Sequence, residues 1–471
     1  MVFSSMIFIW CFLPIVLIGY YIIVFVKFKD YALKNKCKNI WLLLASLIFY
    51  AWGGTYYIGI LLGIIVIDYT AGLILKKCNP AKRKTVMILG IVLNLLTLFV
   101  FKYSNMVAGM LGADNWTEIA LPMGISFFTF QAMSYVIDVY RNQVEAMDSI
   151  ADFALYVSFF PQLIAGPIVK YKEVKDRIAQ REESADLFYS GARRFCYGLG
   201  KKVLIANYCG EIADGIWAGD ISQMGASVAW LGVLTYSLHI YYDFSGYSDM
   251  AIGLGRMFGF EFSENFNFPY MARSVRDFWR RWHISLSTWF KDYVYIPLGG
   301  NRKGRARTCF NLFVVFLLTG IWHGADLSFF LWGAIYGVIL VIERVWLGEV
   351  LEKNPVKILN YIYTLLTVSL CWILFRADNM SQAFLYYSRL FAKAGNNVVA
   401  DSFMSMKGLL AIVFGLILMG PAQTLYRKYF ENRMKKELVM VLDIVCQMAV
   451  LAVSVLLLVG GTYNPFIYFI F

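Results

Sequence analysis

The sequence predicts an all-α polytopic integral membrane protein, and three observations carry that prediction. Of 471 residues, 59% are hydrophobic and only 16% charged, whereas a soluble domain carries roughly a quarter charged residues. Mean hydropathy is +0.60. Apolar runs of bilayer length recur along the chain and are punctuated by short basic loops. So much apolar surface cannot be hidden inside one water-soluble core. A disordered chain, a secreted disulfide scaffold and an ordinary cytosolic enzyme are excluded.

The run from Val2 to Val26 has no basic leading region and no small-residue cleavage site, so it reads as a retained first membrane helix. Two loops follow that are dense in lysine and arginine, 27–38 and 76–84. Positive charge marks the cytoplasmic side, so the chain between them crosses an even number of times, with Gly53 and Gly54 at the outer turn. The first arm, Asn39 to Trp52, is short for a crossing. Further apolar spans lie near 85–101, 119–137, 152–169, 188–218, 226–259, 308–324, 328–347, 358–375, 408–426 and 438–460. Pro161, Gly166 and Pro167 mark the 152–169 span as broken or re-entrant. Arg427, Lys428, Arg433, Lys435 and Lys436 make a last cytoplasmic loop, after which an aromatic tail, 463–471, emerges outside. The expectation is a single membrane domain over 1–471, about 11–13 segments, with both termini extracytoplasmic.

The net charge of +12 comes from 43 Lys plus Arg against 31 Asp plus Glu. In a polytopic chain that excess fixes topology and meets anionic lipid headgroups. No continuous basic arm is present, which argues against nucleic acid as a partner. The 8 cysteines are scattered without a C-x-x-C pair, so neither a metal site nor a disulfide framework is expected. The glycines at 253, 255 and 259 miss the dinucleotide spacing and follow no strand, and no P-loop or G-x-S-x-G elbow occurs.

The stretch 273–307 stands out. It carries nine basic residues against Asp277 and Asp292, interleaved with aromatics such as Phe278, Trp279, Trp282 and Trp289. Two compatible readings apply: an interfacial helix at headgroup level, and a cytoplasmic-face site for an anionic, nucleotide-bearing donor. Arg280, Arg281, Trp282, Asn301 and Arg302 are the candidate donor-binding residues. The chain has only 3 histidines. His323 lies inside or near the end of an apolar helix, between Gly320 and Gly324, which remove bulk and let a backbone or a ligand approach. An ionisable group at membrane depth is a functional candidate, and imidazole suits removal of a hydroxyl proton near neutral pH. His283 sits in the basic aromatic stretch, where it either assists at a site or packs at an interface. His239 and Asp243 are one helical turn apart and can pair structurally. Asp243, Ser245 and Asp249, with Trp322, are alternatively candidates for a polar cavity.

These strings together resemble the membrane-bound O-acyltransferase superfamily, in its alginate O-acetyltransferase-like branch: FFPQLIAGP at 159–167, YDFSGYSD at 242–249, DFWRRWHIS at 277–285, YIPLGGNR at 295–302, GIWHG at 320–324 and NPFIYFIF at 464–471. His239 and Asp326 depart from the family pattern. The resemblance implies a helical bundle with a central tunnel or funnel, re-entrant and interfacial helices, His323 at the constriction and His283 as a second catalytic histidine. It implies a bacterial cytoplasmic-membrane enzyme without a permanently bound cofactor, which takes acetyl from acetyl-CoA and passes it outward. The implied recipients are an extracytoplasmic SGNH-type transferase and a polysaccharide. Tyr468, in a Phe-x-Tyr-x-x-Phe tail similar to that of a partner peptide in teichoic-acid D-alanylation, is a candidate acyl carrier or an interfacial anchor. D-alanyl transfer, a lipid-linked glycan transporter and a non-catalytic scaffold are the competing functions.

Overall fold

The computed structural model describes residues 1–113, 116–393, 400–429, 436–461 and 463–467. Among them there are helices and no strands, in two compact units. Tyr468, with Arg433 and Lys435 of the last basic loop, lies outside the described residues. Among the described residues, seven helices are long and apolar enough to cross a membrane. That is fewer than the apolar runs suggest, because several runs are divided or too polar along their length.

Unit 1 comprises 1–196 and 247–264. It holds α1 (Leu13–Phe25), α2 (Tyr31–Ala51), α3 (Tyr57–Lys77), α4 (Pro80–Met110), α5 (Ile125–Tyr140), α6 (Ile150–Ser158), α7 (Phe160–Leu163), α8 (Tyr171–Ala179) and most of α9 (Ala185–Gly200). Helix α2 corrects the expected short arm. It begins eight residues earlier because the Asp30 carboxylate caps its first turn, accepting from Ala32 N–H. The basic residues Lys34, Lys36 and Lys38 are therefore helical, and Lys38 is buried against Glu183 at 2.9 Å. The 152–169 span breaks as expected. Pro161 starts α7, and the irregular 164–170 segment is buried throughout. Tyr156 ties it down, reaching Val169 O at 3.0 Å and receiving Gln162 Nε2 on its carbonyl at 2.6 Å. Non-helical backbone at membrane depth persists only with such internal partners.

Unit 2 comprises 197–246 and 265–471. After a π-helical stretch, Lys201–Ala206, come α10 (Asn207–Ala218) and α11 (Ala226–Met257), whose last part belongs to unit 1. Then follow the short α12 (Val275–Arg281) and α13 (Ile284–Phe290), the hairpin α14 (Gly304–His323) and α15 (Leu327–Ile342), and α16 (Gly348–Lys353). The unit continues with α17 (Lys357–Arg376), α18 (Met380–Arg389), α19 (Met406–Leu418), α20 (Pro421–Tyr429) and α21 (Lys436–Gly460). Hairpin α14–α15 is packed backbone to backbone: a Cβ on Gly320 would stand 3.0 Å from Gly333 Cα. Small residues permit that approach in lipid, where dispersion rather than water drives association. Asp326 caps α15, its carboxylate accepting from Ser328 N–H at 2.7 Å.

Candidate active site

His323 ends α14 and is 4% exposed. Its imidazole is bounded by the rings of Trp322, Phe375 and Trp332, at centroid distances of 4.9, 5.0 and 5.2 Å. The glycines around it serve packing within the protein rather than a ligand. Gly320 abuts α15, and Gly324 lies under the Phe329 ring.

His283 is placed beside the same indole. Trp322 stands 6.3 Å from the His283 ring and 4.9 Å from that of His323. His283 caps α13 in a left-handed conformation, φ 44°, which is uncommon for a residue with a Cβ and turns its ring inward. Its Nδ1 is 3.1 Å from Asn265 Oδ1. The same Oδ1 accepts the Ser285 backbone N–H at 3.2 Å and the Ser285 hydroxyl at 2.9 Å. A backbone N–H can only donate, so that atom is an oxygen. Nδ1 must then carry the proton. Burial holds the ring neutral, pushing its pKa down to about 3. Nε2 is left as the lone-pair nitrogen, the one able to receive a proton. Asn265 escaped the sequence reading because nothing local distinguishes it; its role arises from a contact made 18 residues away.

Between α12, the π-helical stretch Glu343–Leu347, α16 and the start of α17 lies a recess of about 590 Å³ lined by Arg273, Arg276, Arg280, Arg344 and Lys357 together with Asp277, Glu343, Glu349 and Glu352. Two of those acids are already engaged. Glu343 accepts from the N–H groups of Val275 and Arg276 at 2.7 and 2.8 Å, and Asp277 receives Arg281 Nε at 2.9 Å. The Arg276 pKa is lowered, first by burial and then by the Arg280 and Arg344 guanidiniums, against an opposing pull from Glu343. Arg276 and Arg280 also line a second, mostly apolar chamber of about 270 Å³, with Trp279, Phe290, Phe316 and Thr319 among its walls. Thr319 is one helical turn before His323. The chamber wall does not include His323 itself, and Trp279 and Trp332 meet edge to face at 5.6 Å beside it.

Of the other sequence candidates, Arg280 lines both spaces, while Arg281 is turned to Asp277 and Trp282 is buried against Phe278 and Trp372. Asn301 and Arg302 are exposed in the turn before α14 and line neither space. Arg276, Thr319 and Trp332 were not singled out, because their meaning depends on which face of each helix is turned inward. Asp249 is bound by Arg194 at 2.8 Å, within unit 1. Asp243 is wholly buried and pairs with Lys202 at 2.7 Å, a closer partner than His239 at 3.9 Å. Its other oxygen accepts the Ile467 N–H at 2.8 Å. Ser245 is buried beside it in sequence, on the same helix.

Residues 44–388 match the family model of the membrane-bound O-acyltransferases. The chain is 42% identical over 408 residues to a probable alginate O-acetylase of Pseudomonas aeruginosa, covering 83% of this chain and 75% of the relative. It is 36% identical over 418 residues to a peptidoglycan O-acetyltransferase of Helicobacter pylori, covering 81% and 78%. A teichoic acid D-alanyltransferase of Bacillus subtilis matches at 29% over 228 residues, 46% of this chain and 58% of that one. A buried histidine at the end of a membrane helix, a second histidine of fixed tautomer and a cationic recess beside an apolar chamber thus occur in a multi-pass O-acyltransferase, and the chain belongs to the membrane-bound O-acyltransferase family.

Proposed function

We propose that the protein takes an acetyl group from cytoplasmic acetyl-CoA and passes it across the bacterial cytoplasmic membrane for O-acetylation of an extracytoplasmic polysaccharide. The observation that carries this reading is the pair of spaces sharing Arg276 and Arg280. A cationic recess suits the phosphates of a nucleotide donor, and an adjoining narrow apolar chamber suits its thin acyl-bearing arm. The acceptor proton passes to His323 as its oxygen bonds to the thioester carbon. The carbon–sulfur bond then breaks, and the departing thiolate takes that proton. Because a thioester is already activated, orientation, proton removal and exclusion of water supply the acceleration. The lone-pair Nε2 of His283, across Trp322, orients the acceptor or shares its proton. Trp279 and Trp332 must shift for the thioester to pass from the chamber to His323.

The immediate acceptor in this reading is Tyr468, one residue beyond Ile467, which Asp243 anchors. An extracytoplasmic transferase of the SGNH type then moves the acetyl group to the glycan. The names of the Pseudomonas and Helicobacter relatives support acetyl as the group transferred. Labelled acetyl-CoA given to the purified protein tests the reading. Release of free CoA that is lost in His323→Ala supports it, and an intact thioester or undiminished release from that variant refutes it. Tyr468→Phe keeps an aromatic anchor and removes the nucleophile, so unchanged acetyl export from it would rule out the carrier role.

A further inference from the structure

Unit 1 carries a recess that the transfer chemistry does not use. Its volume is about 730 Å³, within the roughly 300–1,000 Å³ of small-molecule sites. The floor is apolar and buried, made of Val139, Val144, Ala146 and the Tyr171 ring. The rim carries both signs of charge, Lys76, Arg83 and Lys175 with Glu145 and Asp176. Hydrogen bonds fix these walls. Arg83 donates to the carbonyls of Leu75, Val139 and Tyr140 at 2.7, 2.9 and 3.1 Å and to Asn142 Oδ1 at 2.8 Å. It thereby ties the end of α3 to the end of α5. The loop that supplies Glu145 is pinned in turn, the Met147 N–H donating to Tyr135 Oη at 3.0 Å.

Charge says what kind of group fits. Lys76 is matched by Asp148 at 2.6 Å, just beyond the wall. The Arg83 bonds all end on neutral oxygens, so its charge is not cancelled. The side chains of Glu145, Lys175 and Asp176 make no hydrogen bond or ion pair among the described residues. Two cations and two carboxylates therefore face one recess. An anion alone would meet Glu145 and Asp176, a cation alone would meet Arg83 and Lys175, and like charges brought together cost affinity. A group carrying both signs avoids both penalties.

Position says where such a group comes from. Helix α3 ends in Lys76 and Lys77, and α4 begins at Pro80 with Lys82, Arg83 and Lys84 near its start. Both helices are long and apolar enough to cross a membrane. Basic residues at the ends of spans stand at the level of lipid headgroups. Beyond them Ile74, Ile88, Leu89 and Val92 are exposed, so hydrocarbon chains can run along both helices from the recess.

We infer that this recess binds a phosphoethanolamine group, the headgroup of a zwitterionic phospholipid. The phosphate is taken by Arg83 and Lys175, and the ammonium by Glu145 and Asp176. The ammonium N–H groups donate to carboxylates, which a quaternary choline cannot do. A soluble phosphoethanolamine ester offers the same chemistry without the hydrocarbon chains.

The test is native mass spectrometry of the full-length purified protein given equal amounts of phosphatidylethanolamine, phosphatidylcholine and phosphatidylglycerol with matched acyl chains. Exposed ion pairs are individually weak, so the expected preference for phosphatidylethanolamine over each of the others is about fivefold. Glu145→Gln with Lys175→Gln removes that preference, and Asp176→Asn alone reduces it. Lys82→Gln, close to the recess in sequence but off its wall, leaves it intact. Excess soluble phosphoethanolamine separates the sources: lipid that stays bound assigns the site to the phospholipid, and displaced lipid assigns it to the free ester. Equal retention of the three lipids overturns the inference, as does a preference for phosphatidylglycerol. So does a preference that survives the double change or is lost in Lys82→Gln. None of these readouts depends on acetyl transfer.

Discussion

The Asn265–His283 contact decides which imidazole nitrogen is available for chemistry, and it makes a sharp expectation. In Asn265→Ala the tautomer is no longer fixed, and kcat for CoA release falls about tenfold, a loss of ~1.4 kcal/mol in transition-state stabilisation. Asn265→Asp places a carboxylate on Nδ1 and favours the imidazolium, raising the ring's pKa from its depressed value of about 3. Nε2 is then protonated as pH falls through the raised value, so the acid limb of the pH–rate profile moves to higher pH. Overlapping profiles for wild type and Asn265→Asp would refute the assignment. A second expectation concerns the donor. Arg276→Gln with Arg280→Gln raises KM for acetyl-CoA by about tenfold or more, leaves kcat nearly unchanged, and weakens the salt dependence of KM. The sequence showed the arginines but could not rank them, because Arg280 and Arg281 are neighbours in the chain and face different partners. His323 was visible because an ionisable group in an apolar run is costly wherever it lands. Asn265, an ordinary polar residue in a loop, carried no such signal.

Helices were legible where apolar content and breakers agreed, and less so where polar side chains were buried. The divided 152–169 span followed from two prolines and a glycine, since each removes a donor or a side chain that a continuous helix needs. The start of α2 did not, because Lys38, Asn35 and Asn39 look solvated until the fold brings Glu183 and the Arg181 carbonyl beside the lysine and the carbonyls of 178 and 179 beside the asparagines. At this level the hairpin α14–α15 makes the clearest prediction. Gly320→Val forces apart two backbones whose separation sets the position of His323, and should cost ~1–3 kcal/mol in stability together with most of the transferase activity. A variant that melts normally and releases CoA at the wild-type rate would show that this packing does not position the histidine. The Lys202–Asp243 pair is a comparable test for the C-terminal segment. Lys202→Met strands a fully buried carboxylate and should destabilise by about 3–5 kcal/mol, whereas the double change with Asp243→Leu recovers much of that loss.

The proposed function, with its donor in the cytoplasm and its glycan outside, requires an orientation, and the charge distribution supplies one independently. The basic residues at 302–307 flank and begin α14, and α17 runs from Lys357, on the wall of the recess, to Arg376 beside Asp378. With positive charge retained inside, the prediction is a cytoplasmic recess and an external Asp378. Helix α17 is 20 residues long, about the length that one crossing requires, so the two ends must lie on opposite sides of the bilayer. Single cysteines at Lys303 and Asp378, in a background with the 8 native cysteines replaced, read this directly. A membrane-impermeant maleimide applied to intact cells should label Asp378→Cys, and should reach Lys303→Cys only after permeabilisation. The reverse pattern would turn the cationic recess toward a compartment that holds no acetyl-CoA. Arg276 and Arg280 would then be left without their donor, and the route by which the acetyl group reaches His323 would have to be abandoned.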